Sequence, residues 1–265
     1  MRSLHAAARD CLLEPDVDAK LDATRQTAAA WRCGDLVAGD GPEPERVSEP
    51  GRPGQPRLVP PRELPRRGPQ SIQGRAALLH AVCHIEFNAI NLAWDAVYRF
   101  RGLPTGYYDD WVRIAAEETR HFALLRRHLV SLGHDYGDFD AHDGLWELAV
   151  RTDHDPLVRM ALVPRVMEAR GLDVTPGMRD RLSSVGDSTA AAILETILAD
   201  EVGHVEAGSR WFRHLCGQRG EEPEATYHGL VAEYLRGPVK PPLNRPARLA
   251  GGFTEAELDY LEAHA

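Results

Sequence analysis

The chain is short of cysteine, of long apolar runs and of net positive charge, and each shortage removes a class of protein. Cys11, Cys33, Cys83 and Cys216 are the four cysteines in 265 residues, far apart and without a CxxC pair. That spacing suits neither a disulfide framework nor a zinc or rubredoxin-type site, so reduced, mostly buried thiols are expected. No stretch approaches the roughly 20 apolar residues of a membrane span. The start, MRSLHAAARDCLLEP, lacks a sustained apolar signal core, which predicts a cytoplasmic location. With 31 basic against 40 acidic residues, nucleic acid finds no general foothold. No strand-like run competes with the helical periods, and 43% hydrophobic residues suit a soluble, acidic globular chain.

Four regions follow from composition and periodicity. Residues 1–38 read as one or two helices, with Leu21, Ala28 and Trp31 as packing positions. Residues 39–71 turn abruptly to GDGPEPERVSEPGRPGQPRLVPPRELPRRGPQ, where repeated prolines remove backbone donors and impose an extended strap. Residues 72–220 carry four long helical periods, roughly 72–101, 106–132, 155–171 and 187–217, separated by Gly, Pro and Asp-rich breaks. Gly102 and Pro104 close the first, Gly133 the second and Gly171 the third, while Asp187 or Ser188 caps the fourth. GLWELAVR forms a short helix between the second and third, and Pro164 predicts a kink within the third. Residues 221–265 add two short helices, PEATYHGLVAEYLRG and TEAELDYLEAHA, separated by KPPLNRPARLAGG.

The chemistry lies in paired residues on those helices. Glu and His three apart project from nearly one side of a helix, so both can reach one metal ion. Glu118 with His121 in AAEETRHFALL and Glu201 with His204 in LADEVGHVEAG are two such pairs. Twenty glutamates and 12 histidines produce about one ExxH by chance, so neither pair is decisive alone. The flanking helices add Glu86, thirty-two residues before Glu118, and Glu168, thirty-three before Glu201. The order Glu, ExxH, Glu, ExxH is thus an internal repeat and matches the ferritin-like dinuclear carboxylate pattern. Glu86 shares its stripe with Val82, Ile90, Ala93 and Val97, and a carboxylate on an apolar face needs a counter-charge. Four carboxylates and two neutral imidazoles balance two divalent ions; two irons are expected, with manganese and iron together also compatible. His80, His84, His128 and His214 lack the paired spacing and read as core or surface histidines, and Cys83 as core packing.

At these motifs the sequence resembles an uncharacterised bacterial family of ferritin-like proteins of unknown function. The likeness covers roughly residues 46–255, including AWDAVYRF, YYDDWVRIAAEETRHF, HDGLWELA, LVPRVMEARGLDVTPGM and DEVGHVEAGSRWF. Within the ferritin-like superfamily, EETRH and DEVGH are also similar to the paired motifs of the di-iron hydroxylase that acts on a hypermodified tRNA adenosine, and more distantly to those of acyl-carrier desaturases. The resemblance implies an all-α, ferritin-like antiparallel four-helix bundle in which Glu118 and Glu201 bridge the metals. It makes Glu117 and Asp200 supports for the metal-bound imidazoles, with Arg120 tying Asp200; Gly203 occupies the corresponding place in the second motif and breaks the symmetry.

The expected activity is that of a di-iron oxygenase or hydroxylase that uses dioxygen, an external electron donor and an organic substrate, a small molecule or a modified nucleoside. Ferroxidase or iron handling is the first alternative, against which the long strap argues because storage needs a closed shell of many subunits. A non-catalytic scaffold is the second, and its signature would be a broken ligand set. Trp94, Tyr107, Tyr108 and Trp111 read first as packing residues and second as lining for a pocket or an electron route. The strap's Arg46, Arg52, Arg57, Arg62, Arg66 and Arg67 are interrupted by four glutamates, which favours a solvated or packed strap over an RNA-binding arm.

Overall fold

The computed structural model describes residues 2–39, 43–65, 68–235, 237 and 239–264. Among these the protein is predominantly helical, with a two-residue parallel strand pair, β1 (Arg2–Ser3) and β2 (Leu36–Val37), and an isolated bridge between Leu58 and Ala141. The chain forms two compact units, Met1–Val150 with Arg181–Ile193, and Arg151–Asp180 with Leu194–Ala265.

In the first unit, α1 (Leu4–Leu13) and α2 (Val17–Arg32) begin at Ser3 and Asp16, whose side chains accept hydrogen bonds from Ala6 N and Ala19 N. Ser71 caps α3 (Ile72–Arg99) in the same way, and α4 (Thr105–Ser131) follows a turn in which Gly102 takes a positive φ of 69°. α1 and α4 pack on α3, α2 packs on α4, and α5 (Gly144–Arg151) follows. α3 is buried nearly all round. By length and composition it can cross a membrane, contrary to the expectation from sequence, but 78% of its most apolar window is buried inside the protein. Its His80, His84, Glu86, Asn88, Asn91 and Asp95 are buried as well, which suits a central core helix.

The strap lies against this unit. Val59 N donates to Ala141 O at 2.8 Å and Ala141 N to Arg57 O at 3.0 Å. Trp146 Nε1 donates to Ser48 O at 2.9 Å, and Glu45 N to Tyr98 Oη at 2.8 Å. The strap arginines pair internally, Arg52 with Asp143 at 3.0 Å, Arg57 with Asp140 at 2.6 Å, and Arg46 with the carbonyl of Val150 at 3.4 Å. Arg62 is exposed, and Arg66 and Arg67 lie outside the described residues.

In the second unit, α6 (Pro156–Leu162) starts at Asp155, whose carboxylate accepts from Leu157 N, with Pro156 in the first turn. A π-helical turn, Val163–Glu168, then leads into α7 (Ala169–Ser184). Pro164 supplies no N–H to the α ladder, which accounts for a local change of register where a kink is expected. Gly171 does not end this helix: Leu172 is buried and Asp173 holds Arg248 through two bonds of 2.9 and 2.8 Å, so tertiary packing overrides the local signal. α8 (Ser188–Arg219) passes Pro164 closely at Gly208, where a Cβ would stand 2.4 Å from the ring's Cβ and Cγ. α9 (Pro223–Tyr234), α10 (Arg245–Ala250) and α11 (Glu255–Ala263) complete the unit. α10 arises in the segment read as a connection between two terminal helices.

Candidate metal centre

α3 and α4 pack along apolar faces, and that packing brings three donors together in the first unit. Glu86 is 3% exposed, and Glu118 and His121 are fully buried. Nδ1 of His121 is 3.2 Å from Oε2 of Glu86 and 3.2 Å from Oε2 of Glu118, and one ligand atom of each residue lies within 4.8 Å of the others. The same apolar stripe places Val82, Ile90, Ala93 and Val97 in the core, as the sequence indicates. Burial, reinforced by the charge of Glu118, pushes the Glu86 carboxyl well above the usual carboxylate range. Burial also opposes charge on His121, but hydrogen bonds to Glu118 and Glu86 outweigh it and hold the imidazole at about 11.

A layer of aromatic rings adjoins these donors in sequence. Phe87 and Phe122 stand 5.6 Å apart between centroids, and Tyr136 lies 5.3 Å from the first and 5.1 Å from the second. Tyr136 Oη is 2.9 Å from His84 Nδ1, while His84 Nε2 faces the carbonyl of His142 at 3.1 Å. Burial lowers His84 to about 4, consistent with a neutral ring that accepts from the phenol and donates to the carbonyl. His80 accepts from Gly137 N at 3.0 Å, and His128 meets Asp187 at 2.9 Å. These histidines, and buried Cys83, have structural partners or surroundings that suit their core reading. No local sequence signal distinguishes the Tyr136–His84 pair, because its partners are 52 residues apart.

The second unit holds the other three predicted donors. Glu201 and His204 lie one turn apart on α8, with His204 Nδ1 3.4 Å from Glu201 Oε1 and the imidazole fully buried. Glu168 is the last residue of the π turn and is half-buried. Of the three supporting residues, Glu117 accepts from Arg113 Nη1 at 2.6 Å, Asp200 is half-buried and Arg120 is exposed. Trp94 donates to Thr24 Oγ1 at 2.9 Å and Tyr108 to Phe100 O at 3.1 Å, while Tyr107 and Trp111 are buried in the same core.

Residues 13–259 match the model of a family described as a protein of unknown function, DUF455. The chain belongs to the DUF455 family. A Haemophilus influenzae protein described as uncharacterized is 45% identical over 216 residues, covering 79% of this chain and 75% of that protein. No solved structure matches the chain. What this DUF455 chain can bind follows from its donors. The His121 imidazolium offsets Glu118, and burial favours the protonated carboxyl at Glu86, so without metal the group keeps its charge down with protons in a low-dielectric core. A metal cation can take the place of those protons while accepting carboxylate oxygen and imidazole nitrogen together, so the buried group can hold a metal ion.

Proposed function

We propose that this protein is a non-haem di-iron oxidoreductase of the oxygenase or hydroxylase class, with a ferritin-like bundle as its scaffold. Glu86, Glu118, His121, Glu168, Glu201 and His204 together hold two iron ions. The observation that carries the reading is the buried Glu86–Glu118–His121 group, whose ligand atoms lie within 4.8 Å of one another. Repetition of the same Glu, ExxH order at Glu168, Glu201 and His204 extends one donor group to two.

When bound, two ferrous ions supply the electrons and Lewis acidity with which dioxygen is activated toward an organic substrate. The protein's part is to fix ligands and keep the site dry. His121 must give up its proton to serve as a ligand, so metal uptake releases protons. Phe87 and Phe122, next to Glu86 and His121 in sequence and packed on one another, would help keep water out of the surrounding core. Glu118 and Glu201 would each supply a carboxylate to the metals from its ExxH pair. Glu117, Asp200 and Arg120 belong to its supporting polar shell.

Metal analysis after anaerobic iron loading, followed by rapid mixing of the reduced protein with oxygen under optical detection, tests the function. About two irons per chain and a transient absorption band that decays with oxygen consumption support an oxygenase. Turnover of added ferrous iron into a mineral product moves the assignment to iron handling. Failure to bind any transition metal after reconstitution overturns the reading and leaves a scaffold.

A further inference from the structure

Arg165 is a charged residue inside VPRVME, the π turn that ends at Glu168, and it is 1% exposed. A buried guanidinium is costly without compensation. Here Nη2 donates to Glu257 Oε2 at 2.6 Å and Nε to Ser209 Oγ at 3.1 Å. The rings of Tyr227, Phe253 and Phe212 surround the guanidinium carbon at 4.2, 4.5 and 4.8 Å from their centroids, a cation–π cage. Tyr227 Oη also donates to the backbone carbonyl of Arg165 at 3.4 Å. Glu257 is anchored in turn by the capping box of α11, in which its side chain accepts from Thr254 N. Groups from α8, α9 and α11, together with Phe253 before α11, thus converge on one residue of the turn.

A π turn is an unfavoured register, and its relaxation to an α-helix shifts the following chain by one residue, a rotation of about 100°. Glu168 closes the turn and is the residue such a shift would redirect. We propose that the Arg165–Glu257 clamp positions Glu168 for metal binding, so that the C-terminal helices set the coordination of one of the two ions. This rests on the reading of Glu168 as a ligand. Arg165 and Glu257 act through the backbone as positioning residues and touch no metal. The close seat of Pro164 on Gly208 holds the other end of the same turn.

The test uses cobalt(II) as an anaerobic probe of the full chain, read by stoichiometry and by its visible d–d spectrum. Glu257→Gln keeps the side-chain shape and removes the charge on the clamp. Asp173→Asn is the control, because Asp173 holds Arg248 of α10, whereas the Arg165 guanidinium donates to Glu257 and Ser209. The expected result is wild-type protein with two cobalt ions, and a Glu257→Gln variant with one ion weakened about tenfold or more and an altered spectrum. Backbone amides of 163–168 exchange faster in that variant, while Asp173→Asn keeps the wild-type spectrum despite a lowered melting temperature. A wild-type spectrum and stoichiometry in Glu257→Gln overturn the clamp and leave the metal reading intact. Equal spectral changes in both variants make the ion pair merely structural and likewise overturn it. Wild-type protein that takes up no cobalt overturns the ligand reading and the clamp with it.

Discussion

Nδ1 of His121 stands 3.2 Å from Oε2 of Glu86, a residue thirty-five positions earlier, and at the same distance from Oε2 of Glu118. One ring nitrogen thus serves two buried carboxylates. Burial raises the Glu86 carboxyl while hydrogen bonds to Glu118 and Glu86 raise His121, so the metal-free cluster keeps its charge down with protons, and substitutions at its corners have opposite effects on stability.

Glu86→Gln replaces a carboxyl whose ionised form burial disfavours with a neutral amide of the same shape, so metal-free protein at neutral pH is expected to be more stable by about 1 kcal/mol. His121→Ala leaves the buried Glu118 carboxylate without its imidazolium and is expected to cost about 3 kcal/mol. Both variants lose metal while retaining the wild-type far-ultraviolet dichroism. Denaturant titration of metal-free protein, paired with metal analysis, checks both signs. A Glu86→Gln variant that keeps its full metal complement contradicts the ligand assignment.

The Glu118–His121 pairing was readable because residues three apart project from one side of a helix, and the two are brought together at one turn of α4. The apolar stripe of Glu86 was readable for the same reason. Features set by distant contacts were not. Gly171 is followed by Leu172 and Asp173, whose burial depends on packing partners such as Arg248, seventy-five residues away. The six residues of α10 were obscured by neighbouring prolines, although Asn244 caps them through Ala247 N. Pro164 signalled an irregularity in its helix, but local sequence could not fix the π register, which also depends on how Gly208 and Arg165 pack.

Gly208 offers a direct probe of that packing. An added Cβ would meet the ring of Pro164 at 2.4 Å, and one partner must shift. Gly208→Ala is expected to cost about 1–3 kcal/mol despite the better helix propensity of alanine. Gly217→Ala on the same helix, where the new methyl meets nothing within 4 Å, is the matched comparison and should be neutral or stabilising. Equal melting temperatures for the two variants would show that α8 does not depend on its close approach to the turn.

The strap's ion pairs make a separate prediction. Arg52 and Asp143 are each largely shielded, whereas the Arg57–Asp140 pair is more open to water. Arg52→Ala strands the half-buried Asp143 carboxylate, which burial already raises above the usual range. It should cost about 1–2 kcal/mol and speed proteolysis within 43–65, while Arg57→Ala, in a pair open to water, should leave stability nearly unchanged. Limited proteolysis with mass analysis of the first cuts distinguishes a packed strap from a free arm. Identical cleavage rates for Arg52→Ala and wild type would contradict the packed strap.

Lys20 provides the pH signature of the fold. It is fully buried, and its Nζ donates to Cys11 O at 2.7 Å, Leu12 O at 3.0 Å and Asn91 Oδ1 at 2.7 Å. Three acceptors suit an ammonium, yet burial is the larger effect and lowers the group to about 7. The unfolded chain retains an ordinary lysine near 10.5, so between these values it binds more protons than the folded protein. Stability contributed by this site therefore rises with pH through that window, and the burial penalty is fully felt below pH 7. The swing is bounded at about 5 kcal/mol by the size of the shift, and the three hydrogen bonds keep it below that limit. Denaturant titrations of wild type and Lys20→Met at pH 6, 7.5 and 9 isolate the effect, because other titrating groups are largely common to both. The difference in unfolding free energy should move in favour of wild type as pH increases. A difference that stays constant across the three would mean that Lys20 remains an ammonium throughout, held by its three carbonyl oxygens.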